Sequence, residues 1–167
     1  MLIEDRQEMV ENFWEGLASR LAIRGSGIRF DNPSKLQIAP GGRGKSWQFK
    51  QYPIVGRSGF RLAFLIDTSE NKAGVHIVVN KPLRDVYSQL YAQRERINVE
   101  LGVEEAEWQL KPNDAHRVEV LRDFHLANRE SWEEIYDWLF KTFETFHKVF
   151  SPKIEKSNLW GAKPRSV

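Results

Sequence analysis

The run Phe60-Arg-Leu-Ala-Phe-Leu-Ile66, followed after the polar interval Asp67–Gly74 by Val75-His-Ile-Val-Val79, decides how this chain is read. Both runs are rich in β-branched and aromatic residues, so they predict the two strands of a hairpin. Working outward, Pro82 stands where a first-turn proline belongs and opens a predicted helix that runs to Leu101. Its apolar stripe is Leu83, Val86, Leu90, Ile97 and Leu101, with Tyr87 and Tyr91 alongside and Gly102 as the stop. A second hairpin follows, with Glu107-Trp-Gln-Leu110 and Arg117-Val-Glu-Val120 flanking a turn at Pro112-Asn113-Asp114. A last helix is expected to open at Ser131, with Glu134 completing a capping box, and to end at Ser151-Pro152. Its inner stripe is Ile135, Trp138, Leu139, Thr142, Phe143, Phe146, Val149 and Phe150. Phe140, off that stripe, and Trp132, near the helix start, are expected to face another chain.

Upstream of the main hairpin, Met9, Val10, Phe13, Trp14, Leu17 and Leu21 recur at helical spacing until Gly25 and Gly27 end the pattern. The region Gly25–Gly59 is too rich in turn formers for a helix, and short strands are expected at Ile28–Phe30, Lys35–Ile38 and Trp47–Tyr52. The order is helix, several strands, helix, two strands, helix. It predicts an α+β fold, three helices packed on a mostly antiparallel sheet. Residues 1–154 are expected to form one domain, and residues 155–167 a polar, basic tail.

The composition is that of a globular chain: 167 residues, 41% hydrophobic, 29% charged and 12% aromatic, with a mean hydropathy of −0.54. No apolar run approaches the ~20 residues needed to cross a bilayer. Glu4, Asp5, Glu8 and Glu11 occupy the segment where a signal peptide would be basic and then apolar. With no cysteine, disulfides, thiolate metal sites and cysteine nucleophiles are excluded, and a cytoplasmic location is expected.

Charge is unevenly spread. From Asn32 to Ile66 there are six basic residues (Lys35, Arg43, Lys45, Lys50, Arg57 and Arg61) and no acid, leaving 19 basic and 23 acidic residues elsewhere. Such a block is the electrostatic footprint expected for an anionic partner. Trp47, Phe49, Tyr52 and Phe60 lie between the cations, an arrangement suited to single-stranded or flexible nucleic acid. Strand alternation that turns rings inward and cations outward produces the same pattern.

Other motifs carry less. Ala39-Pro-Gly-Gly-Arg-Gly-Lys45-Ser46 has the outline of a phosphate loop with alanine for its first glycine. That loop needs a helix to start at its Lys-Ser pair, whereas Trp47–Pro53 alternates like a strand and meets proline within seven residues, so an NTPase is excluded. No two of His76, His116, His125 and His147 lie at helical metal-binding spacing. Ser58-Gly-Phe60 lacks the glycine frame of a nucleophile elbow. A nuclease centre of the two-carboxylate kind would need an acid two residues before Lys81, where Val79 stands. Asp67 would then have to meet a second carboxylate, such as Glu70 or Glu119.

From Tyr91 onward the sequence resembles a known family. Ala92-Gln-Arg-Glu-Arg-Ile97, Glu100-Leu-Gly102, Glu107-Trp-Gln-Leu110, Ser131-Trp-Glu-Glu-Ile-Tyr-Asp-Trp-Leu139 and Phe146-His-Lys-Val-Phe-Ser-Pro-Lys-Ile154 are similar to the domain of unknown function 4268 family. Arg57-Ser-Gly-Phe60 and the hairpin before Asn80-Lys81 fit its middle. The resemblance covers about Val55 to Ile154 well and the first 50 residues loosely. It implies a nucleic-acid setting, because in that family the domain often follows a nuclease-like domain of the PD-(D/E)XK class in restriction- or defence-type prokaryotic proteins. The family has no established catalytic residues, so none is carried over. No nuclease domain precedes the match in the chain as given, and a nuclease partner acting in trans is the expectation.

Together these readings predict a non-catalytic nucleic-acid-associated accessory module without cofactor or metal, binding DNA or RNA. Arg43, Lys45, Lys50, Arg57 and Arg61 are its expected phosphate contacts and Trp47 its stacking platform. The alternatives are a structural or oligomerisation domain, with homodimerisation through surplus aromatics, and a divergent metal-dependent nuclease. No membrane partner is expected.

Overall fold

β-branched and aromatic residues favour the pleated, half-buried surface of a sheet, and the sheet that they form here has six strands. The computed structural model describes residues 3–24, 37–38, 46–49, 59–68, 70–103, 106–109 and 116–155. The strands are β1 Gln37–Ile38, β2 Ser46–Phe49, β3 Phe60–Asp67, β4 Lys72–Val79, β5 Glu107–Gln109 and β6 His116–Asp123. Their spatial order is β1-β2-β3-β4-β6-β5, and every pairing is antiparallel. The helices are α1 Ile3–Arg24, α2 Arg84–Ala92, α3 Arg94–Leu101 and α4 Trp132–Glu155. The fold is α+β, as the element order predicts.

The period of two gives β3 and β4 two unlike faces. Phe60, Leu62, Phe64 and Ile66 lie in register with Val79, Ile77, Val75 and Ala73, and all eight are buried in one core with side chains of the helices. Phe64 stacks on Phe143 of α4 with ring centroids 4.5 Å apart. On α1, Val10, Phe13, Trp14 and Leu17 are buried, as their spacing predicts. Gly16 is required there, because a Cβ would collide with the hydroxyl of Tyr136. That hydroxyl donates to the Phe13 carbonyl at 2.8 Å and ties α4 to α1.

Three expectations about the helices need correction. The helix predicted from Pro82 to Leu101 is a 3₁₀ turn, Lys81–Leu83, followed by two helices that part at Gln93. Between Leu90 and Ile97 no side chain is buried, so the break falls where no apolar anchor holds a straight helix to the sheet. The stop at Gly102 is as expected: its φ is 77°, and the Gly102 and Val103 N–H groups cap Val99 and Asn98.

The start and end of α4 also differ. The Ser131 hydroxyl donates to the Asn128 carbonyl at 2.8 Å and closes a 3₁₀ turn, while Glu134 reaches Arg122 at 3.6 Å, so the capping box is absent. The helix continues through Pro152 to Glu155. Buried Ile154 and a 2.6 Å bond from Lys153 to Glu100 hold the extra turn in place despite the hydrogen bond that proline removes.

The aromatics expected to meet another chain are core residues. Phe140 is 2% exposed and packs edge-on against Phe64, and Trp132 donates its indole N–H to the Leu126 carbonyl at 2.9 Å. Of the early strands, Gln37–Ile38 and Ser46–Phe49 are the described parts, and residues 35–36 and 50–52 lie outside the described residues. The expected strand at 28–30, the turn at 112–114 and the tail from 156 onward lie outside the described residues. Among the described residues, no helix is long and apolar enough to cross a membrane.

Candidate functional site

The face of the sheet turned away from the helices is built from the other half of each strand. In successive rows it carries Arg61, Val78, Arg117 and Gln109, then Ala63, His76, Glu119 and Glu107, then Leu65, Gly74 and Leu121. Ala63, Leu65 and Val78 are buried but stand apart from the helix-side core. His76 and Glu119 are 3% and 8% exposed, the most deeply placed ionisable pair among the described residues of this face apart from Asp67 at 4%.

His76 and Glu119 face each other across β4 and β6, with Nδ1 3.2 Å from Oε2. With Glu119 ionised, its carboxylate can only accept, and Nδ1 is then the donor of this bond. Gln109 donates its amide to the other carboxylate oxygen, Oε1, at 3.1 Å. Burial, the largest influence, holds the imidazole below its ordinary titration range. The Glu119 carboxylate opposes that effect, and the charges of Arg117 and Arg61 add to it. The site therefore contains a neutral imidazole oriented by an acid and flanked by two fixed cations.

Arg61 and Arg117 are both half-buried. Each pairs in register with Val78, so they straddle it from either side. The Nε atoms of both are buried and make no hydrogen bond among the described residues. A guanidinium presents five N–H donors and no acceptor, so two such groups make this row a concentrated donor surface for an anion.

Of the residues singled out from the sequence, Arg61 thus lies on this face. Trp47 pairs in register with Ile66, a core position of β3. Arg43, Lys45, Lys50 and Arg57 lie outside the described residues, although Lys45 directly precedes β2 in sequence and Lys50 directly follows it. His76, Arg117 and Gln109 were not among the residues singled out. The signal for them is an unlike residue at every second position, as in Val75-His-Ile and Arg117-Val-Glu-Val120, which marks a second, polar face.

Of the carboxylates of the nuclease reading, Asp67 and Glu119 stay apart. The Asp67 side chain accepts the Glu70 backbone N–H at 3.1 Å and shapes the β3–β4 turn, while Glu70 is exposed. Asp67 sits in the row of Lys72 and Asp123, four residues along and two strands across the sheet from Glu119, a separation of about 16 Å. Among the described residues, no three His, Asp or Glu side chains converge as a metal site would require. His116 is buried against Tyr87, and His125 and His147 are exposed.

Comparison with curated proteins and with solved structures returned no match. A family model does match, over residues 9–154, which takes in most of α1, the whole sheet and nearly all of α4. On the strength of that match across most of its length, the chain belongs to the family described as Domain of unknown function (DUF4268).

Proposed function

We propose that the chain is a non-catalytic nucleic-acid-associated module that works with a nuclease in trans, in the manner of a cytoplasmic restriction- or defence-type component. One observation carries this reading: the six-cation, acid-free run 32–66 supplies β1, β2 and β3, three consecutive strands on one side of the sheet. An acid-free basic run, of which Arg61 lies on β3, supplies the positive charge that a phosphate backbone attracts. The oligomerisation alternative loses its main support, because the surplus aromatics of α4 are buried.

The experiment is a fluorescence-anisotropy titration with single- and double-stranded DNA and RNA at about 50 and 200 mM salt. Affinity should fall steeply between the two, with a log–log slope of about one unit per phosphate contact. Replacing Arg43 and Lys45 together with alanine should weaken binding to all sequences alike and flatten the slope by about two. An affinity indifferent to both salt and this double substitution would refute the proposal.

A further inference from the structure

We infer that Arg61 and Arg117, astride Val78 on the sheet face opposite the helices, form a two-arginine seat for a single phosphate group of a nucleic-acid backbone. The inference rests on the function proposed above and deepens it by adding a residue far outside the basic block.

Three observations converge on this seat. The first is register: Arg61, Val78 and Arg117 share one row, so the two arginine Cα atoms stand two strand spacings apart, about 9.6 Å. Extended side chains from both sides can meet over that gap, and because Val78 between them is buried, a ligand would rest on the two guanidinium groups and not on the valine. The second is the lack of protein partners. Both Nε atoms are buried without a hydrogen bond, and no carboxylate lies within 4 Å of either guanidinium among the described residues. Two cations that share one row of the sheet and are partly out of water favour an anion beside them.

The third is the arrangement of the neighbouring acid. Glu119, in the adjoining row, has one carboxylate oxygen against His76 at 3.2 Å and the other against Gln109 at 3.1 Å. Both of its oxygens are thereby engaged by His76 and Gln109, in the row next to the arginines. His76 feels the charges of both Arg117 and Arg61, which places all three groups within one electrostatic neighbourhood. Both arginines remain partly exposed, so the seat can be reached from solvent. The planar guanidinium fork suits a phosphate better than any other common biological anion except a carboxylate.

The test compares the wild type with Arg61→Gln, Arg117→Gln and the double variant in the same titration. If both side chains hold one phosphate, each single substitution should flatten the salt slope by about one unit, and the double variant should flatten it by no more. A loss of about two units in the double variant would mean two separate contacts and would overturn the shared seat. An unchanged slope and affinity in Arg117→Gln, with Arg43→Ala/Lys45→Ala still impaired, would overturn the seat and leave the proposed function standing. A wild type that binds no nucleic acid would overturn both. A readout independent of the variants' folding is the pair of arginine Nε–Hε resonances in the wild type during titration with a short single-stranded oligonucleotide. Both resonances should shift together, and failure of either to move would refute the inference.

Discussion

Replacing Glu119 with leucine tests the chemistry of the polar face most directly. The carboxylate is 8% exposed and accepts from His76, itself 3% exposed, on one oxygen and from Gln109 on the other. Leucine has a similar volume but no acceptor. Gln109 is only half-buried and can turn its amide to water, whereas His76 is 3% exposed and loses the acceptor of its Nδ1 bond. The cost is therefore the loss of one buried, charge-assisted hydrogen bond, about 1–3 kcal/mol. A second substitution separates this account from a general loss of packing. In Glu119→Leu/His76→Leu both partners of the bond become apolar, so the double variant should be more stable than Glu119→Leu alone, since removing both ends of a buried hydrogen bond is nearly neutral. Urea denaturation of the four proteins at neutral pH closes the cycle, with midpoints moving while the denaturant slope stays constant. Losses that simply add, or a Glu119→Leu variant within about 0.5 kcal/mol of wild type, would refute the reasoning.

Two further outcomes follow from the same structure. Because burial depresses protonation of His76, the unfolded chain binds more protons than the folded one below the usual histidine pKa of 6.5. Stability should thus be full above pH 6.5 and decline as the pH falls, by at most about 1.4 kcal/mol per unit from this group. His76→Leu should flatten the decline when denaturation is repeated between neutral and mildly acidic pH. Trp132→Ala should destabilise the fold by about 3–5 kcal/mol in thermal unfolding, since the indole is a core element hydrogen-bonded to Leu126; an unchanged melting temperature would restore the idea of a surface anchor.

What was legible in the sequence were the features that depend on neighbours a few residues apart. The run 60–66 and the run 75–79 each announced a strand, and Val10, Phe13, Trp14 and Leu17 announced the buried face of α1, because pleat and helix turn a local repeat into a face. Gly102 marked a helix end because glycine readily adopts a positive φ. The weaker readings failed where distant contacts outweighed the local signal. Nothing in Ala92-Gln-Arg-Glu marks the break at Gln93, and Pro152 reads as a terminator until Ile154 and the Lys153–Glu100 bond carry the helix past it. Phe140 and Trp132 looked surplus only because one stripe was assumed, whereas α4 packs against both the sheet and α1 and buries a wider arc.

The candidate site shows the same division. Residues 61, 76, 117 and 119 could each be seen as polar positions in apolar strands, but the sequence could not say which would be neighbours. That was decided when β6 paired with β4 while β5 took the outer edge, a register that sets Glu119 opposite His76 and Arg117 in the row of Arg61. Periodicity is a property of one strand and is written along the chain. Register is a property of two, fixed by burying the apolar half of each against the same helices, and only the folded structure contains it.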